Sequence, residues 1–373
     1  MKKLNILILL LFLIISKITI SQSYEDFFSV SRKIEDSTRF HLLIDNTNFI
    51  KNNEYFNDFS EGYTLIGYFL KPRILFKAHK KVNIYAGIHL EKYFGAKKFT
   101  GFEPVFTVEY IHNKNFRLVF GELYGTVNHE LTDFVFDNEN YLVRNSENGI
   151  QIIFNNNRIV SDTWLEWRQY IFKDSPYPEI LFFGTSNKFN ILNINDKHLL
   201  NIKLAAVASH VGGQINSSDD PVETIMNTIS GLEYNFITGN KYLSNIKLSG
   251  LLLSAIDASP NKRLEYEQGY GILSGIELSN KILSLKFQYW FGDQYFSKFG
   301  NPMFQSISQI NNLHFEPKRS FINTHLFWSN EILDFFKLGV GVDLYYDTYN
   351  SHFDYSFGFY IKTNLDFKLK RRK

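Results

Sequence analysis

Between residues 126 and 147 the sequence gathers Glu130, Asp133, Asp137, Glu139 and Glu147 around one guanidinium, Arg144, and one imidazole, His129. With His129 neutral the segment carries a net charge of −4. Paired carboxylates can move protons, hold a cation, or repel until a basic partner intervenes. The run His129-Glu130-Leu131-Thr132-Asp133 begins like the helical zinc signature, but Asp133 stands where the second imidazole belongs. Its context also reads as loop, which removes metalloprotease chemistry. A turn at 155–157 folds the next hairpin so that residues whose numbers sum to about 313 face each other. Give or take a slip of register, that places Glu147 near Glu166 and Gln151 near Asp162, with His129 and Arg144 as the nearest cationic partners. The plainer reading is a solvated acidic surface loop.

Other chemistries are missing. No phosphate-cradling glycine loop ends in Lys-Ser/Thr, and no Gly-x-Ser-x-Gly elbow occurs. The absence of cysteine removes disulfides, thiolate zinc sites, iron–sulfur clusters and thiol nucleophiles. A formal charge of +2 argues against a nucleic-acid partner, which would require a strong basic excess. No metal and no cofactor is expected. The ten histidines and many serines leave room for a Ser–His pair, but no spacing singles one out.

The elements that position these residues follow a period of two. From Phe353 the odd positions read Phe, Tyr, Phe, Phe, Ile, Thr, Leu, Phe, Leu, while the even ones carry Asp354, Ser356, Lys362 and Asp366. Side chains of a strand alternate between faces, so one face is an apolar stripe and the other polar. The segments 336–346, 283–291, 200–208 and 82–90 repeat the pattern. With 37 Phe, 22 Tyr and only 8 Pro, the composition favours strands throughout. Turn signals cut the chain into sixteen strand candidates: 39–49, 62–78, 82–95, 100–112, 115–125, 148–155, 158–171, 179–192, 196–211, 222–238, 243–256, 268–280, 281–292, 319–330, 333–347 and 352–369. Short polar turns alternate with longer segments at 50–61, 126–147, 172–178, 212–221, 257–267 and 293–318, apart from short joins at 96–99 and 348–351.

Long strands, an even count and alternating connection lengths define an all-β fold, a closed antiparallel transmembrane β-barrel of about sixteen strands, fourteen to eighteen being in range. Closure is compulsory, because lipid cannot hydrogen-bond an open sheet edge. A soluble β-sandwich also alternates, but its strands are shorter. Pro72 inside the second candidate deletes a ladder donor, so a bulge or strand end is expected near Lys71. Residues 1–21, with Lys2 and Lys3 before an apolar run and Thr19-Ile20-Ser21 before Gln22, read as a secretory signal peptide. The expected organisation is therefore signal 1–21, a periplasmic segment 22–38, the barrel 39–369 and a basic tail 370–373. Both ends then lie on the periplasmic side, with short periplasmic turns and longer extracellular loops. The tail at 368–373 would meet anionic head groups or cell wall. Trp164, Trp167, Trp290 and Trp328 are expected in interfacial belts.

The run Phe120-Gly121…Tyr124-Gly125…Asn128-His129, then Glu147-Asn148-Gly149-Ile150-Gln151, then Asp162-Thr163-Trp164-Leu165-Glu166-Trp167 resembles a family of exported, porin-like barrel proteins of Bacteroidota, over roughly residues 116–172. The resemblance implies an exported outer-membrane protein and transfers no catalytic role. Barrels of this kind commonly end on an aromatic residue that the assembly machinery reads, whereas here Phe367 is followed by six more residues.

Three readings of function follow. In the first, the barrel passes or binds a small solute through a polar lumen lined by Lys203, Lys247, Lys286, Lys337, Asp343, Lys362 and Asp366. The 126–147 segment joins candidates five and six, where the corresponding loop of sixteen-stranded porins narrows the pore. By that analogy its acids would favour cations. In the second, a barrel enzyme acts on lipid or glycan through Glu147, Glu166 and His129. In the third, exposed aromatics of the 293–318 loop (Tyr295, Phe296, Phe299, Phe304) bind a surface partner. Outer-membrane lipid and the barrel-assembly machinery are the expected partners.

Overall fold

The computed structural model describes residues 23–29, 39–218, 220–311 and 313–369. The expected signal peptide and the 370–373 tail lie outside the described residues. Sixteen antiparallel strands form one closed sheet: β1 (Phe40–Glu54), β2 (Thr64–His79), β3 (Val82–Tyr93), β4 (Gly101–Ile111), β5 (Phe116–Glu122), β6 (Asn148–Asn155), β7 (Ile159–Gln169), β8 (Glu179–Ile194), β9 (His198–Gly212), β10 (Glu223–Ile237), β11 (Asn245–Asp257), β12 (Gln268–Ser279), β13 (Leu283–Asp293), β14 (Lys318–Leu333), β15 (Phe336–Asp347) and β16 (His352–Lys368). Each strand pairs with its sequence neighbours, and β1 closes on β16 from His41↔Lys368 to Glu54↔Tyr355. No sheet edge remains for lipid to meet.

The period of two becomes inside and outside. On β16 Asp354, Ser356, Tyr360 and Lys362 are buried in the lumen, whereas Phe353, Phe357 and Phe359 stand exposed on the outer wall. At Pro72 the outcome departs from expectation. β2 runs through the proline with its register on β1 unbroken, and on β3 the pairing Leu70↔Leu90 resumes in the same register at Arg73↔Gly87. The ring faces outward and forfeits local pairing without shifting the strand. At Gly121 the backbone turns left-handed with both ladders of β5 unshifted; its φ of +110° and its missing Cβ, which would lie 2.0 Å from the Phe106 carbonyl oxygen, both demand glycine. Val119 and Glu122 consequently both point inward.

The interior is divided into two layers. Towards the long-loop end the inward positions are apolar (Val207, Ile229, Leu251, Leu253, Ala255, Leu273), and two loops fold in to pack on them. From the 123–147 loop, Phe134 stacks on Trp290 with centroids 4.3 Å apart and meets Phe304 of the 294–317 loop at 4.3 Å. Polar pins lock the loops together: Asn301 Nδ2 donates to Asp133 Oδ2 at 2.9 Å, and Ser297 Oγ donates to the Val135 carbonyl at 2.9 Å. This dry ceiling corrects two expectations. Trp164 and Trp290 are fully buried on the inner face, and among the four tryptophans Trp167 is the one that is 43 % exposed outside. Tyr295, Phe296 and Phe304 are buried in the plug, and Phe299 packs against it, so the proposed surface-binding aromatics are occupied by their own barrel.

Towards the short-turn end the lumen is polar and holds a further inserted element. Of the 22–38 segment expected outside the barrel, the described residues 23–29 lie within it as a single helical turn, Tyr24–Phe28. Phe27 and Phe28 pack on Phe49, Phe69, Phe327 and Tyr360. The reason is aromatic area: two phenylalanines next to an apolar inner wall gain more by entering than by remaining in water.

Candidate functional site

The acidic segment 126–147 belongs to the inserted loop, and its carboxylates are distributed among separate partners. Thr126–His129 forms a single 3₁₀ turn, bracketed by Thr126 and Glu130, both in left-handed backbone conformations. This turn drives His129 fully inside. Its Nδ1 lies 2.7 Å from Asp162 Oδ2 and its Nε2 3.0 Å from Glu147 Oε2, while the ring stacks on Trp164 at 3.6 Å and 12°. Burial alone would lower the imidazole's pKa; the flanking Asp162 and Glu147 carboxylates outweigh it and hold the group at about 10. At neutral pH His129 is therefore an imidazolium with both nitrogens engaged, unable to accept a proton from a substrate. Glu147 is further held by the Thr126 amide at 2.6 Å and its hydroxyl at 3.0 Å, and Gln151 Nε2 donates to Asp162 Oδ1 at 2.8 Å.

The hairpin register differs by two residues from the expected one. Gly149 faces Glu166, Gln151 faces Trp164, and Ile153 faces Asp162. The turn closes at 156–158, where Asn156 N–H donates to the Ile159 carbonyl at 2.8 Å and its side chain caps the turn. Glu147 and Glu166 are thus not cross-strand partners, whereas Gln151 and Asp162 do meet, as the sequence suggested. Glu166 is fully buried between Arg144, at 3.0 Å, and Arg168, at 3.2 Å. The Arg168 guanidinium in turn lies 3.9 Å over the Phe299 ring.

Glu130 pairs with Lys188 at 2.6 Å, and Asp133 is consumed by the Asn138 amide and Asn301. Burial pushes the Asp133 carboxyl up, and burial together with the nearby Asp133 pushes Asp137 up. Glu139 reaches the long-loop mouth. Lys51 Nζ lies 2.5 Å from it, Asn53 Nδ2 donates at 3.0 Å, and the Tyr63 hydroxyl donates as well. Burial raises the Glu139 carboxyl, but the Lys51 charge and these donors hold it below the usual carboxylate range. The cluster borders a cavity of about 450 Å³ that also touches Ser60, Asp137 and Lys298. Asn53 Oδ1 is buried there without a hydrogen-bond partner. Among the described residues no group of three or more His, Asp or Glu is arranged to hold a metal ion.

All seven lumen charges expected from the alternation stand on the inner wall, and each has a partner. Lys203 and Lys247 share Glu233 at 3.7 and 3.2 Å, and Lys286 meets Glu25 at 2.8 Å. Lys337 meets Glu331, Asp343 meets His325, and Asp366 meets His41. Lys362 donates to the carbonyls of Phe27 and Ser29. Several form a belt of facing pairs, Lys188↔Lys203, Lys247↔Glu277, Glu277↔Lys286 and His325↔Asp343, around a cavity of about 1100 Å³. The sequence reading missed Lys51, Asn53 and Tyr63. Lys51 and Asn53 fell just beyond the end assigned to the first strand, although both continue its inward alternation.

These features define a closed, sixteen-stranded bacterial outer-membrane β-barrel with a loop-filled interior. Residues 32–372 match the family model described as Lipid A 3'-O-deacylase-type, and the chain belongs to that family. No curated protein matches it. Among solved structures, a loop-deletion mutant of OmpT, an outer membrane protein of Vibrio cholerae, aligns with TM-score 0.52 and 8 % identity over 88 % of this chain and 99 % of its own. The outer membrane protein OprD of Pseudomonas aeruginosa gives 0.50 at 9 % identity over 91 % and 98 %. An anion-selective porin from Comamonas acidovorans gives 0.50 at 11 % over 88 % and 99 %. At such identities the likeness concerns the fold alone.

Proposed function

We propose that this barrel is a hydrolase acting on an acyl ester of a lipid A-type glycolipid in its own membrane, and that it is not an open conduit. The observation that carries this reading is the apolar plug: Phe134, Trp290, Phe304 and their neighbours pack the two inserted loops against the wall in the long-loop half of the lumen and leave the Glu139 cluster beside a small cavity. Family membership supplies the substrate class. The cation-preferring reading rests on the net negative charge of the 126–147 loop, and there Glu130, Glu139 and Glu147 are each engaged by a basic partner. The mouth cluster is the reacting centre in this reading. Glu139, kept ionised by Lys51, takes a proton from water as its oxygen attacks the ester carbonyl. The carbon–oxygen bond then breaks, and the proton passes to the departing alkoxide. Asn53 and Tyr63 orient Glu139, and Lys51 offers charge to a phosphorylated head group.

The test is mass spectrometry of lipid A from cells expressing the chain, compared with Glu139→Gln. Loss of an acyl chain in the first, reduced by ~10²–10⁴-fold in the second, is the expected outcome. Unaltered lipid in cells that contain the folded barrel would overturn the activity, and full turnover by Glu139→Gln would overturn the site.

A further inference from the structure

The Tyr24–Phe28 turn is received by a pocket that the wall has been shaped to provide. Gly339 of β15 is the clearest mark. A Cβ built there would lie 3.0 Å from the tip of the Phe327 ring and 3.1 Å from that of Phe27, so a side chain at 339 would press directly on the inserted element. Around this notch Phe28 contacts Tyr360 at 5.0 Å and Tyr24 contacts Phe327 at 5.5 Å, while Phe27 stands edge-on to Phe327 at 5.5 Å. The polar ends match too. Glu25 is met by Lys286, and the last carbonyls of the turn, Phe27 and Ser29, both accept from Lys362 Nζ at 3.0 and 2.9 Å. Lys286 of β13 and Lys362 of β16 stand three strands apart on one arc of the wall, on either side of Phe327 and Gly339, and both cations converge on one short segment.

The segment also holds the loop above it. Phe28 meets Tyr141 with centroids 4.5 Å apart, and Val127 and Leu142 join the same cluster. The Tyr141 hydroxyl bonds Thr47 Oγ1 at 3.1 Å, two residues along from Glu139. The floor of the 123–147 loop therefore rests on residues 24–28.

We infer that the lumen contains a specific binding site for a short aromatic, acidic peptide segment, formed by the Gly339 notch, Phe327, Tyr360, Lys286 and Lys362, and occupied in cis by residues 23–29 as a latch under the 123–147 loop. A peptide of the same chemistry competes for it from the short-turn side. The site stands whether or not the mouth cluster hydrolyses lipid, since none of its contacts with residues 23–29 is made by Lys51, Asn53, Tyr63 or Glu139.

The chain lacks cysteine, so a single introduced thiol reports on it cleanly. Ser329 is buried, has no hydrogen-bond partner for its hydroxyl, and faces Gly339 across the β14–β15 ladder. Ser329→Cys is expected to react slowly with a charged maleimide in the folded barrel. Gly339→Leu, or deletion of 23–29, should speed labelling by ~10-fold or more. A synthetic 23–29 peptide should slow it again in the deletion variant. As a fold-sparing check, Glu25→Lys should accelerate labelling, and adding Lys286→Glu should restore the slow rate. Labelling that is unchanged by the deletion and by Glu25→Lys, in barrels that still shift on heated gels, would overturn the latch. No protection by the peptide would overturn the site as a site for ligands in trans.

Discussion

At the scale of single residues, His129 shows how burial and charge compete. The imidazolium is enclosed by Glu147, Asp162 and the Trp164 face, so its removal leaves two carboxylates without their cation inside a packed loop. Breaking a buried pair in this way costs ~3–5 kcal/mol. His129→Asn should therefore lower the temperature at which the barrel loses its compact gel mobility, with loosening of the 123–147 loop seen as Trp164 fluorescence moving to the red. The pH dependence has a definite sign. The folded pKa of about 10 lies above the ordinary 6.5, so the stabilisation is complete below pH 6.5 and is lost as pH rises through about 10. Wild-type unfolding curves between pH 7 and 10.5 should show this decline, and His129→Asn should flatten it. An unchanged slope in the variant would mean that the imidazole is not the group responsible.

At the scale of elements, the alternation of apolar and polar residues made the sixteen strands legible, because lipid outside and a lumen inside impose opposite demands on neighbouring side chains. The β6 bounds match the sequence reading, 148–155. What escaped was set by contacts far apart in the chain. The inward-facing Trp164 and Trp290 could not be told from belt residues without the loops that cover them. Glu25 and Lys286, more than two hundred residues apart, had no local signal for their pairing. The acids of 126–147 were visible as a group, but their separation among Lys51, Lys188, His129 and Asn301 required the fold. Gly121 tests how an element aims a charge. Its left-handed backbone precedes Glu122, which is buried against Lys71 and Arg73. Gly121→Ala forces a β-carbon into the Phe106 carbonyl at a left-handed position, a strain of ~1–3 kcal/mol or more. The expected result is reduced thermal stability together with weaker packing of β5; a variant as stable as the parent would show that the backbone at 121 can relax.

At the scale of the whole molecule, closing the sheet and filling its interior are separate achievements, and only the first is shared with an open channel. The outer wall satisfies lipid along every strand. Inside, the short-turn half is a chamber of paired charges, whereas in the long-loop half two inserted loops pack an apolar cluster against the wall. Reconstituted wild-type protein should accordingly show conductance near the background of the bilayer, with no preference between K⁺ and Cl⁻. Phe134 and Phe304 meet each other, and Phe134 also stacks on Trp290, in that cluster. Truncating a buried phenylalanine costs ~3–5 kcal/mol locally, a sum the surrounding strands need not bear because their ladder is untouched. The double variant Phe134→Ala with Phe304→Ala should thus keep the heat-modifiable barrel but open the ceiling, giving discrete current steps in planar bilayers. Steady wild-type conductance equal to that of the variant would mean that water already passes the loops, and the dry seal would fall with it.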